Sequence, residues 1–458
     1  FMSTLTPNQR RAVEAQGNVL LLAGAGTGKT HTLVECCLSR MLDTANPVSL
    51  DEMLMVTFTE AAASEMRRRI QDRLEAAIRE NPGQLRLLEQ RALVDTARIS
   101  TLHSFCLQLV RDHFHDLGLD PQVTVLPPER ATRLAHQTLA KVLERHYAGQ
   151  QPEDDDVRQL ALDYGGVRDD AIRESILRTF KYVQTLPAPP AWLGAQRRLL
   201  EQEIPRHWHN WLLETFTDWR REWLERLSEL APENPNAARS ALALKNAPDQ
   251  PDRRQMAAAL DAVLAADAEW PKRKKTILRK PLVDLFEEAN FFRSLTPANG
   301  DADPLLEDWR LVRAPLQALL RLTDEFAAAF AAAKRELAVV DFQDLEQLAL
   351  HLLWDGQPPK PTPIAEQWRR KLRCVFVDEY QDINAVQDRI LSALARDGEQ
   401  ANRFLVGDLK QSIYRFRLAD PRICQGYAER FRTDPTAGQV IPLNENFRSQ
   451  ASILEFAN

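Results

Sequence analysis

The residue run best suited to chemistry is Ala-Gly-Ala-Gly-Thr-Gly-Lys-Thr at positions 23–30, which directly follows the apolar run 19–22. Glycines let backbone amides approach phosphate oxygens, and the helix that opens after them directs its positive dipole end at the same charge. In this pattern Lys29 reaches the β- and γ-phosphates and Thr30 offers its hydroxyl to Mg²⁺. The alternative is a glycine-rich turn with an incidental lysine. We predict that a nucleoside triphosphate is bound by Ala25, Gly26, Thr27, Gly28, Lys29 and Thr30, and that Thr30 also holds Mg²⁺.

Two adjacent carboxylates, Asp378 and Glu379, follow a second apolar run at 375–377. In a nucleotide hydrolase such a pair lies opposite the phosphate loop: Asp378 would hold Mg²⁺ through water, and Glu379 would orient or deprotonate the attacking water. An acid pair after a strand is weak evidence alone. Combined with Lys29 it completes one predicted site, in which Thr30 and Asp378 are the metal ligands.

A third strand, predicted at 404–406, leads to Gln411 and then to the run Tyr414, Arg415, Phe416 and Arg417. A glutamine at a strand tip beside the phosphates can hydrogen-bond the γ-phosphate or the attacking water and so distinguish ATP from ADP. Alternating aromatic and basic side chains suit single-stranded nucleic acid, because bases stack on the rings and phosphates meet the guanidinium groups. The alternative for Tyr414 and Phe416 is an aromatic pair in a core.

Two further predicted strands end in Thr57-Phe58-Thr59 and in Thr101-Leu102-His103-Ser104. Ligands of parallel α/β sheets bind outside the carboxyl ends of the strands, so we expect Phe58 to face that crevice. The threonine hydroxyls and His103 could bind phosphates. Taken singly, each could equally cap a helix, as Thr59 would for a helix starting at residue 60.

The order of these elements predicts an α/β fold with a mostly parallel sheet, interrupted by a large helical insertion that we place at 116–338. Within the insertion, tryptophans at helical spacing from Trp208 to Trp223 predict a core face. The acidic run 153–156 is interpreted as a solvated loop.

Composition excludes some classes of protein and partner. The chain of 458 residues has a net charge of -6, so any nucleic-acid contact must be local. Its five cysteines contain no C-x-x-C pair, which predicts free thiols in a reducing compartment. No apolar run approaches the roughly 18 residues of a membrane span, and the start lacks a signal-peptide pattern. We therefore predict a cytoplasmic protein with no membrane partner.

Taken in order, the motifs resemble those of the UvrD/Rep/RecB group of superfamily-1 DNA helicases, above all its RecB and AddA members. The matching segments are Leu5-Thr6-Pro7-Asn8-Gln9, the run 23–30, Thr57-Phe58-Thr59, Thr101-Leu102-His103-Ser104, Val377-Asp378-Glu379-Tyr380-Gln381-Asp382, 407–417 and Asn444-Glu445-Asn446-Phe447-Arg448-Ser449. The stretch 99–105, the large insertion and the segment 340–345 favour RecB and AddA. Asp341 and Asp344 in that last segment are interpreted as helix caps.

The resemblance implies a RecA-like, P-loop NTPase fold, with the first half of the motor domain at 1–115, the second half at 339–440 and the start of a truncated second motor domain at 441–458. It also implies a role for each matching residue. Gln9 would read the adenine edge of ATP, Phe447 would stack on the base, and Arg448 would reach the γ-phosphate. Lys29, Asp378, Glu379, Gln411 and Arg448 would then be the catalytic residues. Single-stranded DNA would be contacted by Thr57, Phe58, Thr101, His103, Tyr414 and Phe416.

By the same resemblance, the chain is expected to be the N-terminal, ATP-dependent motor part of a 3′-to-5′ helicase or translocase. It would act on single-stranded and duplex-end DNA in double-strand-break repair or recombination, together with a second protein chain of the kind found in AddAB or RecBCD complexes. Family members continue beyond the Asn-Phe-Arg-Ser motif, so we expect an N-terminal fragment whose own ATP hydrolysis is weak. A nucleotide-dependent switch or a pure binding module remains the alternative.

Overall fold

The computed structural model describes residues 5–149, 154–166, 169–297, 302–356, 358–412 and 418–447. The chain divides into two compact units. The sheet unit comprises Phe1–Lys141, Leu177–Pro190 and Phe326–Asn458, and the helical unit comprises Val142–Ile176 and Ala191–Glu325. The boundaries expected from the sequence, at 115/116 and 338/339, stay predictions.

A parallel sheet of six strands forms the centre of the sheet unit, in the order β10-β1-β9-β8-β2-β3. Its strands are β1 (Val19–Ala23), β2 (Met53–Thr57), β3 (Arg98–Thr101), β8 (Cys374–Val377), β9 (Arg403–Gly407) and β10 (Gln439–Leu443). Short pairs are formed by β4 (Thr124–Val125) with β5 (Val339–Val340), and by β6 (Trp354–Asp355) with β7 (Lys360–Pro361). The predicted parallel α/β sheet is confirmed. The expected start of a second motor domain at residue 441 falls inside β10, which belongs to this sheet.

Helices account for most of the remaining described chain. In the sheet unit or at its borders lie α1 (Pro7–Glu14), α2 (Lys29–Leu42), α3 (Glu60–Glu80), α4 (Leu85–Leu93), α5 (Leu102–Asp112), α6 (Pro128–Tyr147), α8 (Asp170–Gln184), α15 (Pro304–Glu336), α16 (Phe342–Leu353), α17 (Pro363–Lys371), α18 (Ala385–Leu394) and α19 (Pro421–Thr433). The helical unit contains α7 (Asp154–Tyr164), α9 (Pro189–Glu201), α10 (Arg206–Leu230), α11 (Pro235–Lys245), α12 (Arg253–Ala268), α13 (Lys275–Arg279) and α14 (Val283–Ser294).

Apolar side chains cover both faces of the sheet. Along β2, Met53 and Met55 belong to one core, whereas Leu54 and Val56 belong to the other. A parallel sheet is buried on both faces because its crossover helices pack on either side. This is why the strands read as continuous apolar runs in the sequence.

In the helical unit, α10 packs its apolar face into a core that contains Trp219 and Trp223. The Nε1 atoms of these two indoles donate hydrogen bonds to Glu288 Oε2, at 2.7 and 2.8 Å. The predicted core role of the tryptophan stripe is confirmed for these residues. Trp211 is the exception, because 56% of its surface is exposed.

The interpretation of the acidic run as a solvated loop is wrong for its described part. Asp154 to Asp156 form the first turn of α7, where carboxylates favour the helix dipole. Asp154 is buried, and its Oδ1 lies 2.7 Å from Nδ1 of His146. His146 Nε2 in turn contacts Glu325 Oε2 at 2.7 Å.

Three features of the described residues concern disulfides, membrane spans and metal clusters. All five cysteines are described, and all are free thiols. Within the described residues, no helix is both long and apolar enough to cross a bilayer. The same part of the chain contains no group of three or more His, Cys, Asp or Glu side chains arranged to hold a metal ion.

Candidate nucleotide and DNA site

Nearly every described candidate residue lies just beyond the carboxyl end of a strand of the large sheet. The phosphate loop follows β1, Phe58 follows β2, Thr101 ends β3 and Asp378 follows β8. Because all six strands are parallel, these ends share one edge of the sheet, where α/β proteins bind ligands. The topology therefore gathers residues that are hundreds of positions apart in the sequence.

The phosphate loop has the backbone geometry that its glycines predict. Gly26 and Gly28 have φ angles of 76° and 82°, in the left-handed region that residues with a Cβ atom disfavour. Gly28 is the N-cap of α2 and provides no side-chain hydrogen bond to the first turn. The amides at the start of α2 are thus left for an anion, as a phosphate site requires.

Lys29 joins the phosphate loop to the acid pair. Its Nζ donates hydrogen bonds to Glu379 Oε1 at 3.1 Å and Oε2 at 2.9 Å. Thr30 and Asp378 are the sequence neighbours of these two residues. The two halves of the predicted site therefore meet in space, although the long insertion separates them in the chain.

The acid pair is held in an unfavourable environment. Burial, followed by the nearby charge of Glu379, raises the pKa of Asp378 to about 6. Burial and Glu379 also raise the pKa of Asp382 to about 6. Glu379 itself has a φ of 52°, a conformation that costs a non-glycine residue of the order of 1 kcal/mol or more. Crowded carboxyls, opposed within the described part of the chain by Lys29, are the electrostatic setting that a divalent cation relieves.

Gln381 links the acid pair to the next strand, a role that sequence reasoning missed. Its Nε2 donates to Glu379 Oε2 at 2.8 Å and to Asp382 Oδ2 at 3.2 Å, while its Oε1 accepts from the backbone amide of Asp408 at 2.9 Å. Only 1% of Gln381 is exposed. Its position two residues after Glu379 was the available signal. Gln411 lies in the 3₁₀ turn Leu409–Gln411, directly after this contact.

The two candidate base-binding residues flank the phosphate loop. Gln9 Nε2 donates to Thr27 O at 3.2 Å, and an ideal Cβ on Gly28 would lie 2.9 Å from that nitrogen and 3.9 Å from the Phe447 ring. The amide of Phe447 donates to Gly26 O at 2.8 Å. Gln9 also closes a capping box with Thr6, so its amide group is held in one orientation. Gln9 and Phe447 therefore converge beside Gly28, and 63% of Phe447 is exposed.

The residues present fit a magnesium nucleotide. The structure places an uncapped helix N-terminus, one lysine and a carboxyl with a raised pKa at the same sheet edge. Lys29 and the loop amides would hold the phosphates, and Thr30 and Asp378 would hold the cation. When bound, the metal would supply charge neutralisation at the phosphates. These assignments of roles remain proposals.

Three of the candidate DNA residues line one surface cavity of about 440 Å³: Phe58, Thr101 and His103. Thr101 caps α5, and its Oγ1 donates to Glu60 Oε1 at 2.9 Å. His103 packs edge-on against Phe342, with ring centroids 5.0 Å apart. Thr57 lies apart from this lining, since it is buried and donates to Thr59 O. Thr59 caps α3 and Asp341 caps α16, as the sequence predicted.

Comparison with known proteins decides the family. The model of the UvrD/REP helicase N-terminal domain matches residues 5–432. The chain belongs to this UvrD/REP helicase family. It is 35% identical, over 99% of its length, to a Moorella thermoacetica protein named as one subunit of an ATP-dependent helicase/nuclease. It is 34% identical over its whole length to the protein of the same name from Bacillus licheniformis. It covers 34% and 39% of these two relatives, so it spans about a third of their length.

Family membership confirms the resemblance to UvrD-type helicases and, through the curated relatives, to AddA. The matching motifs from Leu5 to Ser412 lie within the described residues. Tyr414, Phe416 and Arg448 fall outside the described residues, so their predicted roles stay predictions.

Proposed function

We propose that this chain is the ATP-binding motor part of a DNA helicase or translocase that works with Mg²⁺. The observation that carries the proposal is the contact between Lys29 and Glu379, at 2.9 Å, which assembles one site from the phosphate loop and the acid pair. In this site Lys29 stabilises the charge on the terminal phosphates, and Glu379 orients the attacking water. Gln381 fixes Glu379 relative to β9.

We further propose that single-stranded DNA binds at the cavity lined by Phe58 and His103. This cavity lies at the same edge of the sheet as the nucleotide site, and β2, which leads to Phe58, pairs directly with β8, which leads to the acid pair. Aromatic side chains there offer faces for base stacking. The names of the relatives add helicase and nuclease activity in a multisubunit enzyme. We accordingly propose a role in double-strand-break repair, 3′-to-5′ polarity and a partner protein that forms the second chain of the complex.

The test is a binding titration of the whole chain with a non-hydrolysable ATP analogue in Mg²⁺ and with a labelled single-stranded oligonucleotide. We expect both to bind, and Phe58→Ala to weaken DNA binding by roughly 5- to 100-fold through lost stacking. Phe291→Ala removes an exposed phenylalanine of the helical unit and should leave DNA binding unchanged. DNA binding without any nucleotide binding would favour a pure binding module and contradict the motor.

Polarity and activity need a second measurement. Displacement of streptavidin from oligonucleotides labelled at either end reports the direction of movement. For a longer protein that contains this chain, we expect ATP-dependent displacement of streptavidin from the 5′ end of the oligonucleotide. Movement in the 3′-to-5′ direction requires this result. ATP hydrolysis without displacement from either end would instead support a nucleotide-dependent switch.

A further inference from the structure

A buried glutamate, Glu346, lies between the DNA cavity and the segment that follows the acid pair. Only 3% of Glu346 is exposed. Its Oε1 lies 2.9 Å from Nε2 of His103, on the cavity side. On the other side Oε1 accepts from Gln387 Nε2 at 2.6 Å, and Oε2 accepts from Asn384 Nδ2 at 3.2 Å. One carboxyl group thus contacts three side chains: one in α5, one in α18 and the N-cap residue of α18.

The capping box of α18 fixes which atoms of Asn384 and Gln387 face Glu346. Asn384 Oδ1 accepts from the backbone amide of Gln387 at 2.9 Å, and Gln387 Oε1 accepts from that of Asn384 at 3.1 Å. Both amide oxygens are therefore engaged, and both NH₂ groups must point outward. Only a group that accepts on both oxygens satisfies them. A glutamine at position 346 would place an NH₂ group against one of these donors.

The α18 cap is tied closely to the nucleotide site. The 3₁₀ turn Tyr380–Asp382 starts directly after Glu379, and Asn384 follows it by two residues. The same segment is held by Gln381, which contacts Glu379, and by the backbone of Ile383, whose oxygen accepts from the amide of Asp420. A displacement of Glu379 would therefore be transmitted to Asn384 through a few bonded residues.

We propose that Glu346 is a positioning residue that couples DNA at His103 to nucleotide at Glu379. The proposal rests on the function proposed above, since it takes the His103 cavity as the DNA site. DNA that contacts His103 shifts its ring relative to Glu346, and Glu346 passes that shift to the α18 cap. Nucleotide contact with the acid pair acts along the same path in reverse, as reciprocal linkage requires.

The test measures linkage in the whole chain: the Kd of a non-hydrolysable ATP analogue, with and without saturating single-stranded oligonucleotide. In the wild type we expect DNA to tighten nucleotide binding by about 5- to 150-fold, the usual range for coupled sites. In Glu346→Gln, the ratio of the nucleotide Kd without DNA to the nucleotide Kd with DNA should lie within about 2-fold of one. The nucleotide Kd without DNA should stay unchanged. Asn384→Ser keeps a good helix cap but removes the amide that reaches Glu346, and should lower the ratio as well.

Glu325→Gln is the matched control, because Glu325 also contacts the Nε2 atom of a histidine, His146, in the helical unit. It should keep the wild-type ratio. The proposal is overturned if the wild type binds both ligands without linkage, or if Glu346→Gln and Asn384→Ser both retain it. Failure of the wild type to bind nucleotide or DNA would defeat the proposed function instead. Thermal unfolding midpoints establish that each variant is folded. If Glu346→Gln does not fold, Asn384→Ser still tests the coupling through Glu346 and the α18 cap.

Discussion

Polar groups are arranged differently at two places in the molecule. In two clusters of the helical unit they are matched: Glu288 accepts from two indoles, and His146 lies between Asp154 and Glu325. At the edge of the sheet they are crowded instead. Among the described residues, Lys29 is the cation whose charge acts on Asp378 and Asp382, and burial together with the charge of Glu379 raises the pKa of both aspartates.

The difference separates residues that hold the fold from residues held ready for a ligand. A matched polar group adds stability and specificity to a core. An unmatched one lowers stability, and such groups are concentrated at sites that a ligand completes. The following variants test this distinction.

The largest expected effect is on folding of the helical unit. Glu288→Ala leaves the indole N–H groups of Trp219 and Trp223 without their acceptor. The free energy of unfolding should fall by about 2–3 kcal/mol, since two hydrogen bonds to a charged acceptor are lost and water replaces part of each at this exposed carboxylate. Urea unfolding followed by tryptophan fluorescence measures it. Nucleotide affinity should stay at the wild-type value, and a matching loss of affinity would contradict the separation of roles.

Lys29→Ala should have the opposite profile. Loss of its charge-assisted contacts should weaken binding of the ATP analogue by about 10- to 150-fold, equivalent to roughly 1.5–3 kcal/mol. Lys334→Met is the control. Lys334 is also buried and donates to Asp341 and Asp344, at 2.8 and 2.7 Å, beside the α16 cap. Lys334→Met should lower the thermal unfolding midpoint and leave nucleotide affinity unchanged. Equal effects of the two variants on affinity would remove the distinction.

The smallest expected effect is a dependence of stability on pH. The pKa of Asp378 is about 6 in the folded state against 3.8 ordinarily, so the folded protein holds a proton that the unfolded chain releases. Stability should therefore decrease as pH rises from about 4 to 6. Asp378→Asn removes this titration, and the wild type should lose of the order of 1–2 kcal/mol relative to the variant across that window. Denaturant curves in metal-free buffer test it, and parallel curves for both proteins would show that Asp378 does not titrate there.

Local patterns in the sequence predicted the parts of the structure that depend on local physics. Apolar runs identified the strands from 19–22 to 404–406, because a strand buried on both faces must be apolar throughout. The glycine spacing predicted the backbone of the phosphate loop. The helix cap at Asp341 could likewise be predicted from the sequence, since a capping side chain accepts a hydrogen bond from a backbone amide only three residues ahead.

Contacts between distant segments could not be read in this way. Nothing local reveals that Glu346 meets His103 and Asn384, because that requires α16 to pack against α5 and α18. The acidic run at 154–156 was misjudged for the same reason. Charge alone suggests a solvated loop, but His146 supplies a buried partner for Asp154 that spacing does not show.

The left-handed backbone at Glu379 has a consequence for laboratory evolution of this protein. Glycine adopts that conformation without steric cost, and asparagine tolerates it better than glutamate does. A library screened only for heat resistance should thus enrich glycine or asparagine at position 379. These variants would be more stable but would lack the carboxylate proposed to orient the water. Any thermostability screen of this chain should therefore include a functional selection.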